Sequence, residues 1–471
     1  MKRLTVLLLI IGAGCASYRG IEPRAKPVEP AALASEKSLG SEAGGGEWPA
    51  LDWWKRFGDP QLDALIEEGV SRSPNIRLAA ARLDAARAQA QIAGVPLGPQ
   101  LAADASINRQ RFSENYIFPK PIGGSTFTTT QLDLSASYEV DFWGKNRAAY
   151  EAALGRARAA QAETFSSQLV LSSAIASAYV QLARGYDQLD LARRTLEERQ
   201  RIHSLTGDRV RAGLDSRLEL KQVETSIPAA RARVAQIEGE IALARNQLAA
   251  LVGHGPDRGL AIERPALHMT AVAVPARVGA DLIGRRPDIV AARVRAEAAA
   301  RDIDAAKRAF YPDINLTALI GVQSVTPSKL LEAGSAIPAV GAAIRLPILD
   351  AGRLRGNLAA RDAEYDAAVE QYNQALADAL RDVVDQLASL RSVQSQRGEA
   401  EAALASAEEA YELSVTRYRA GIGSLLQVIS AETQVLDQRA LRADLNSREL
   451  ALAISLVRAL GGGFDVQVAM K

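Results

Sequence analysis

One cysteine, three histidines and an aromatic content of 5% leave this 471-residue chain short of the usual materials of enzyme chemistry. The histidines and the cysteine lie far apart, so no zinc or thiol-redox spacing can be built from them. The glycine clusters GAG, GIG and GGG have no phosphate-loop lysine behind them, and no serine–histidine–acid signature is present. The expectation is a protein that is not an enzyme and needs no cofactor and no metal. Charge of one sign is also missing: 56 basic and 55 acidic residues give a formal net charge of +1, so no bulk field draws nucleic acid. Apolar runs of the roughly 20 residues that a membrane helix needs are absent too. What the chain does have is a 48% hydrophobic content, largely Ala, Leu and Val, which suits long, closely packed helices.

The N-terminus reads MKRLTVLLLIIGAGC: two basic residues, a short apolar run from Leu4 to Ile11, then small residues before the single cysteine. This is the pattern of a secretory signal over residues 1–14, with Cys15 as the first mature, acylated residue of a bacterial lipoprotein. Gly12 departs from the Leu or similar residue usual at that position. Ala16, rather than Asp, follows the cysteine, which in bacterial lipoproteins implies sorting to the outer membrane. Residues 15–46, rich in Pro, Ala, Ser, Glu and Gly without periodicity, read as a tether.

Beyond residue 46 the chain is duplicated. SPNIRLAAARLDAARAQ resembles RPDIVAARVRAEAAARD, and Pro74 and Pro99 recur as Pro287 and Pro312, 213 positions on. VRAGLDSRLELKQVET matches YRAGIGSLLQVISAET, with Gly213 and Gly421 208 apart. The first repeat covers 47–253, an inter-repeat collar rich in Gly and Pro covers 254–278, the second repeat covers 279–461, and 462–471 form a tail. Each repeat runs helix, strand, polar loop, strand, helical hairpin. Helices are expected near Asn75–Gly94 and Ile289–Phe310. Longer ones follow, near Lys145–Asp208 and Arg353–Arg417, each roughly 90–100 Å at 1.5 Å per residue. Apolar residues such as Ile175, Tyr179, Leu182, Tyr186 and Leu189 step by four and three, the mark of coiled-coil packing. Hairpin tips fall at 208–216 and 417–424, and Pro228 should kink the return limb of the first hairpin.

The barrel strands lie within 101–142 and 313–349: Leu101–Gln110, Leu132–Phe142, Ile314–Gln323 and Val340–Ile348. In QLDLSASYEVDF, Leu132, Leu134, Ala136, Tyr138, Val140 and Phe142 share one face, while Asp133, Ser135, Ser137, Glu139 and Asp141 share the other. Strands of about ten residues with one oily and one polar face match the walls of a membrane barrel. Four strands cannot close, and an open edge in lipid leaves backbone groups unpaired at several kcal/mol each. Copies of the chain must therefore combine: two would supply eight strands, and three would supply twelve strands and twelve helical limbs.

WWKRFGDPQLDALIEEG from Trp53, the RRPDIV…FYPDINL block, ILDAGRLRG and the paired RAG turns resemble the TolC-like outer-membrane efflux family, in its lipid-anchored OprM/NodT branch. The resemblance runs from Trp53 to about Leu460. It implies a mainly α fold with a membrane β-barrel part: a homotrimer with a twelve-stranded barrel on an α-helical barrel. It also implies an exit duct, held in outer-membrane lipid, docked to a periplasmic adaptor and served by an inner-membrane transporter of the resistance-nodulation-division type. By that resemblance Arg211, Gly213, Arg419 and Gly421 at the tips meet the adaptor. The periplasmic constriction falls at Gln427 and Ser430, where relatives carry Asp, so an acidic, cation-binding gate is not expected. Asp215 and Glu219 near the first tip are alternative sources of charge, or solvated surface. Two other functions compete: a type I secretion duct for polypeptides, which uses the same architecture, and a structural coiled-coil lipoprotein, which would need no alternating strands and no sheet.

Overall fold

The computed structural model describes residues 17–29, 32–34, 36–39, 46–268, 275, 282, 284–348 and 350–469. Cys15 and the signal segment lie outside the described residues, as does most of 269–281.

The duplication is visible element by element. The first repeat runs α1 (Pro60–Arg72), α2 (Pro74–Gly94), β1 (Gln100–Arg111), β2 (Thr126–Val140), α3 (Lys145–Arg211) and α4 (Arg217–Leu251). The second runs α5 (Pro287–Arg308), β3 (Asp313–Ser324), β4 (Ala339–Arg345), α6 (Ala351–Arg419) and α7 (Leu425–Ala459). The long limbs α3 and α6 hold 67 and 69 residues, and both return limbs hold 35. Asp59 starts α1 by accepting a hydrogen bond from the Gln61 amide, and Pro60 occupies the first turn, where its missing N–H costs nothing. Pro228 lies inside α4 without ending it.

The chain divides into two compact units. The first gathers 1–27, 82–160 and 292–372 and contains the sheet. The sheet is antiparallel in the order β1-β2-β3-β4, so β1 and β4 are its edges. Its register sets most residues of the oily face beside one another. Leu101 faces Ala136, which faces Ala318, which faces Val340; Tyr138 faces Leu316, which faces Ala342; Ala105 faces Leu132, which faces Val322. The other face carries Asp104 opposite Asp133, Ser106 opposite Gln131, and Gln131 opposite Gln323. Leu101, Ile107, Leu134, Ile320, Val340 and Ile344 are all exposed on this single chain.

Three strand boundaries differ from the sequence expectation by more than one residue. β2 starts at Thr126 rather than Leu132, because the β-branched and aromatic run TFTTT extends the ladder with β1. It ends at Val140, since the Asp141 carboxylate accepts the Asn146 and Arg147 amides and opens α3 instead. β4 stops at Arg345, two residues before Pro347, which has no amide to give a ladder. At this end of the sheet Trp143 stacks on Tyr311 at 4.8 Å and donates its indole N–H to the Pro312 carbonyl at 3.0 Å, with Phe142 exposed beside it. Aromatic rings of this kind mark the interfacial belt of membrane proteins.

The first described part of the segment read as a tether, residues 17–27, is a strap on the first unit. Arg24 and Ala25 donate backbone N–H groups to Asp366 Oδ1, both at 2.9 Å. Tyr18 and Ile21 pack on a core of Ile303, Ala306, Phe310, Leu354 and Leu358.

The second unit gathers 28–81, 161–291 and 373–471. Its core joins Trp53, Phe57, Leu62, Leu65 and Ile66 to Ile175, Tyr179, Leu182, Ile237, Leu248 and Val457. Of the coiled-coil positions read from the sequence, Ile175, Tyr179, Leu182 and Leu189 are buried and Tyr186 is half-buried. The collar is pinned by Asp59, whose Oδ2 accepts the Ala266 amide at 2.7 Å and the Tyr179 hydroxyl at 2.8 Å.

Gly321 tests the sheet. A Cβ there would stand 2.5 Å from Asp133 Cβ and 2.6 Å from the Leu132 carbonyl, inside contact distance of the neighbouring strand. Gly321→Val is expected to part β2 from β3 and abolish the assembled species on a native gel, whereas Gly334→Val, with open space around it, leaves assembly intact.

Candidate functional site

The two hairpin tips are the same local structure built twice. Gly213 and Gly421 hold φ of +74° and +81°, the left-handed region that side chains resist. After each glycine the chain turns back: Leu214 N–H bonds Arg209 O, and Ile422 N–H bonds Arg417 O. Each return helix then starts on a serine capping box. Ser216 pairs with Glu219 at the head of α4, and Ser424 with Gln427 at the head of α7. Arg211 is exposed and paired with Asp208, and Arg419 is exposed. Gln427 and Ser430 are exposed residues one turn apart on α7, and the Gln427 side chain accepts the Ser424 amide at 3.2 Å.

Symmetry fails at one place. Asp215 stands where the second tip has Gly423, and Tyr418 where the first has Val210. These two meet. Arg209 donates to both oxygens of Asp215, at 2.7 and 3.1 Å, and to the Tyr418 carbonyl at 2.6 Å. The Tyr418 hydroxyl donates to Asp215 at 2.5 Å and lies 3.1 Å from Thr206 Oγ1. The Arg209 guanidinium also covers the Tyr418 ring at 4.3 Å. Asp215 is therefore no solvated surface charge: its side chain is 11% exposed and that of Arg209 8%. The paired guanidinium holds the Asp215 carboxyl below its ordinary range, and burial raises the Tyr418 hydroxyl. Ile202, Val223, Leu425 and Val428 pack beneath as an apolar layer.

Farther along the hairpins, Glu432 of α7 is buried, with Arg199 of α3 3.6 Å away. Burial raises the Glu432 carboxyl, and Oε1 accepts no hydrogen bond among the described residues. Tyr411 beside it is pushed up to about 12 by burial, with Glu432 and Glu198 adding to the effect. Arg439 bridges Glu198 and Glu408 at 3.4 and 2.9 Å. Both layers tie the first hairpin to the second through ionisable side chains.

Sequence reasoning passed over Arg209, Tyr418 and Glu432. The signal for Tyr418 and Asp215 was the departure from the repeat itself, a position where duplication alone predicts Val and Gly.

Comparison with known proteins gives a consistent result. A family model described as outer membrane efflux protein matches residues 65–254 and 278–462. The fusaric acid resistance protein FusA of Burkholderia cepacia is 38% identical over 358 residues, 75% of this chain and 68% of that protein. The multidrug resistance outer membrane protein MdtP of Escherichia coli K12 is 31% identical over 485 residues, 98% of each. The crystal structure of the outer membrane protein VceC from Vibrio cholerae superposes with a TM-score of 0.84 at 38% identity, covering 89% of this chain and all of that one.

The tip network has a pH signature. A carboxyl lowered in the folded state contributes stability above its unfolded pKa and loses it as pH falls through the folded value. Amide exchange over 206–218 and 416–424 should accelerate on acidification below the ordinary aspartate value of 3.8. Asp215→Asn is expected to show fast exchange already at neutral pH. Unchanged protection in that variant would remove the ion pair from the account.

Proposed function

The chain belongs to the outer membrane efflux protein family, and on that premise we propose that three copies close into one duct. The duct carries small toxic solutes out of the cell, with no chemistry of its own. The observation that carries this reading is the sheet. Its oily residues lie in cross-strand rows on one face, its polar residues on the other, and its β1 and β4 edges carry unpaired ladders. Pairing β4 of one copy with β1 of the next turns the oily rows to lipid and encloses the polar rows around water.

Anchorage has two parts. The Ser17 carbonyl accepts a hydrogen bond from Arg355 at 2.5 Å, and Tyr18 sits edge-on to Phe310 at 5.5 Å. Arg355 lies ten residues past the end of β4, so this contact supports Cys15 reaching the inner leaflet with an acyl anchor. The barrel is the second attachment. The tips, with Arg211, Gly213, Arg419 and Gly421, face an adaptor protein. That adaptor leads to an inner-membrane transporter of the resistance-nodulation-division type.

The tunnel is held shut by the Arg209–Asp215–Tyr418 network, with Gln427 and Ser430 narrowing the pore by hydrogen-bonding groups rather than by charge. Because its charged members are shielded and paired, the latch should respond weakly to ionic strength. Opening separates Tyr418 from Asp215 and parts the hairpins.

Purified protein in a planar bilayer should give discrete conductance steps; their absence would sink the duct. Asp215→Ala with Tyr418→Phe should raise the conductance of each step. On the sheet, Leu134→Arg should cost about 2–4 kcal/mol near mid-bilayer and prevent insertion, while Ser135→Arg, on the opposite face, is expected to insert. Cys15→Ser should remain in the outer-membrane fraction but with less assembled trimer.

A further inference from the structure

Three of the chain's eight phenylalanines fall within sixteen residues around the β1–β2 connection. This connection joins the strand ends opposite those that lead to α2 and α3, so it lies at the outer end of the sheet. It is a built loop. Phe112 N–H bonds Ser125 O at 3.0 Å, Gly124 N–H bonds Phe112 O at 2.9 Å, and Ser125 Oγ donates to the Pro121 carbonyl at 2.6 Å.

The face that the rings occupy decides what they can do. Phe127 pairs with Gln110 and stands on the same side of β2 as Gln131 and Asp133, the polar side. The Phe112 ring is 5.9 Å from Phe127, which puts it on that side as well, and Phe118 from the loop lies 5.2 Å from Phe112. Tyr116 adds a fourth ring, 5.8 Å from Phe118. An interfacial belt would set its rings on the oily face, with Leu101, Leu134 and Ile320. These rings are on the wrong side for lipid.

We infer that Phe112, Phe118 and Phe127 form an aromatic constriction at the outer mouth of the duct, an apolar collar that excludes bulky polar molecules from outside. The inference rests on the reading that the polar face lines the duct. Repeated by each copy around the mouth, the rings narrow a lumen whose walls below carry Asp104, Asp133 and Gln131. Apolar constrictions resist the passage of hydrated solutes by dewetting. Exiting amphiphilic solutes can pass by displacing ring contacts. This constriction acts at the far end of the strands and does not depend on the tip network.

The test uses cysteine labelling of intact cells, so the state of the periplasmic end does not enter. Ser106→Cys lies on the polar face below the rings, and Ile107→Cys on the oily face. A small membrane-impermeant maleimide should label Ser106→Cys, while a bulky polyethylene-glycol maleimide should not. Adding Phe112→Ala, Phe118→Ala and Phe127→Ala should abolish that size discrimination, with trimer checked on a native gel. If the triple variant does not assemble, Phe118→Ala alone, a loop position outside the ladder, should give a partial loss of discrimination. Equal labelling by both reagents in the otherwise unaltered protein overturns the constriction and leaves the duct standing. Labelling of Ile107→Cys but not of Ser106→Cys overturns the face assignment, and with it the duct reading itself.

Discussion

Backbone hydrogen bonding in a medium without water is the constraint from which the rest follows. A strand in lipid must pair on both sides, and the described residues form four strands with two free edges. Neither edge carries a proline or a bulge that would excuse it from pairing: β1 and β4 are regular ladders with exposed oily residues. Closure by further copies resolves both problems at once, since it pairs the edges and gives the oily rows a single outward direction. The helices inherit the consequence. Each copy would bring two hairpins, so on the proposed reading an assembly that closes the sheet also gathers the helices.

Duplication supplies the second constraint. Two repeats with matching return limbs and matching serine caps could in principle fold into interchangeable halves. The repeats have diverged at many positions, and the informative differences at the tips are Asp215 for Gly and Tyr418 for Val. The carboxylate on one tip accepts the phenol of the other, and Arg209 donates both to that carboxylate and to the Tyr418 carbonyl. Specificity of this kind comes from polar groups that are costly to leave unpaired. The same property suits the contact to the latch proposed for it, since separated partners at the tips can be hydrated instead.

Much of this was legible in the chain before any coordinates. Alternation in QLDLSASYEV and its partner strands set the faces of the sheet, and the register confirms them row by row. Helix spacing and the RAG turns placed the hairpins within a few residues. The strand ends were less legible, because they are decided by competition: Asp141 caps α3 rather than extending β2, and Pro347 ends a ladder that hydropathy alone would continue. The tip network was missed for a different reason. Its members are six residues apart at one tip and about two hundred from the other, and no local pattern marks an arginine as bonded rather than solvated. Likewise the strap of residues 17–27 has the composition of a linker, yet its backbone N–H groups find Asp366, a partner that composition cannot reveal.

The scarcity of reactive side chains then acquires a physical sense. A duct that moves solutes it did not select gains nothing from a nucleophile or a metal, and a strong fixed charge would hold some solutes back. The chain's charges are numerous but paired: Arg184 with Asp444, Arg397 with Glu449, Arg264 with Asp187 and Asp190. Pairing keeps long helices soluble and in register without imposing a net field. Where the chain departs from this neutrality it does so by shape, with a buried Arg209–Asp215–Tyr418 cluster at the tips and aromatic rings on the polar face of the sheet. On the proposed reading, work on the solute falls to a partner and control to geometry.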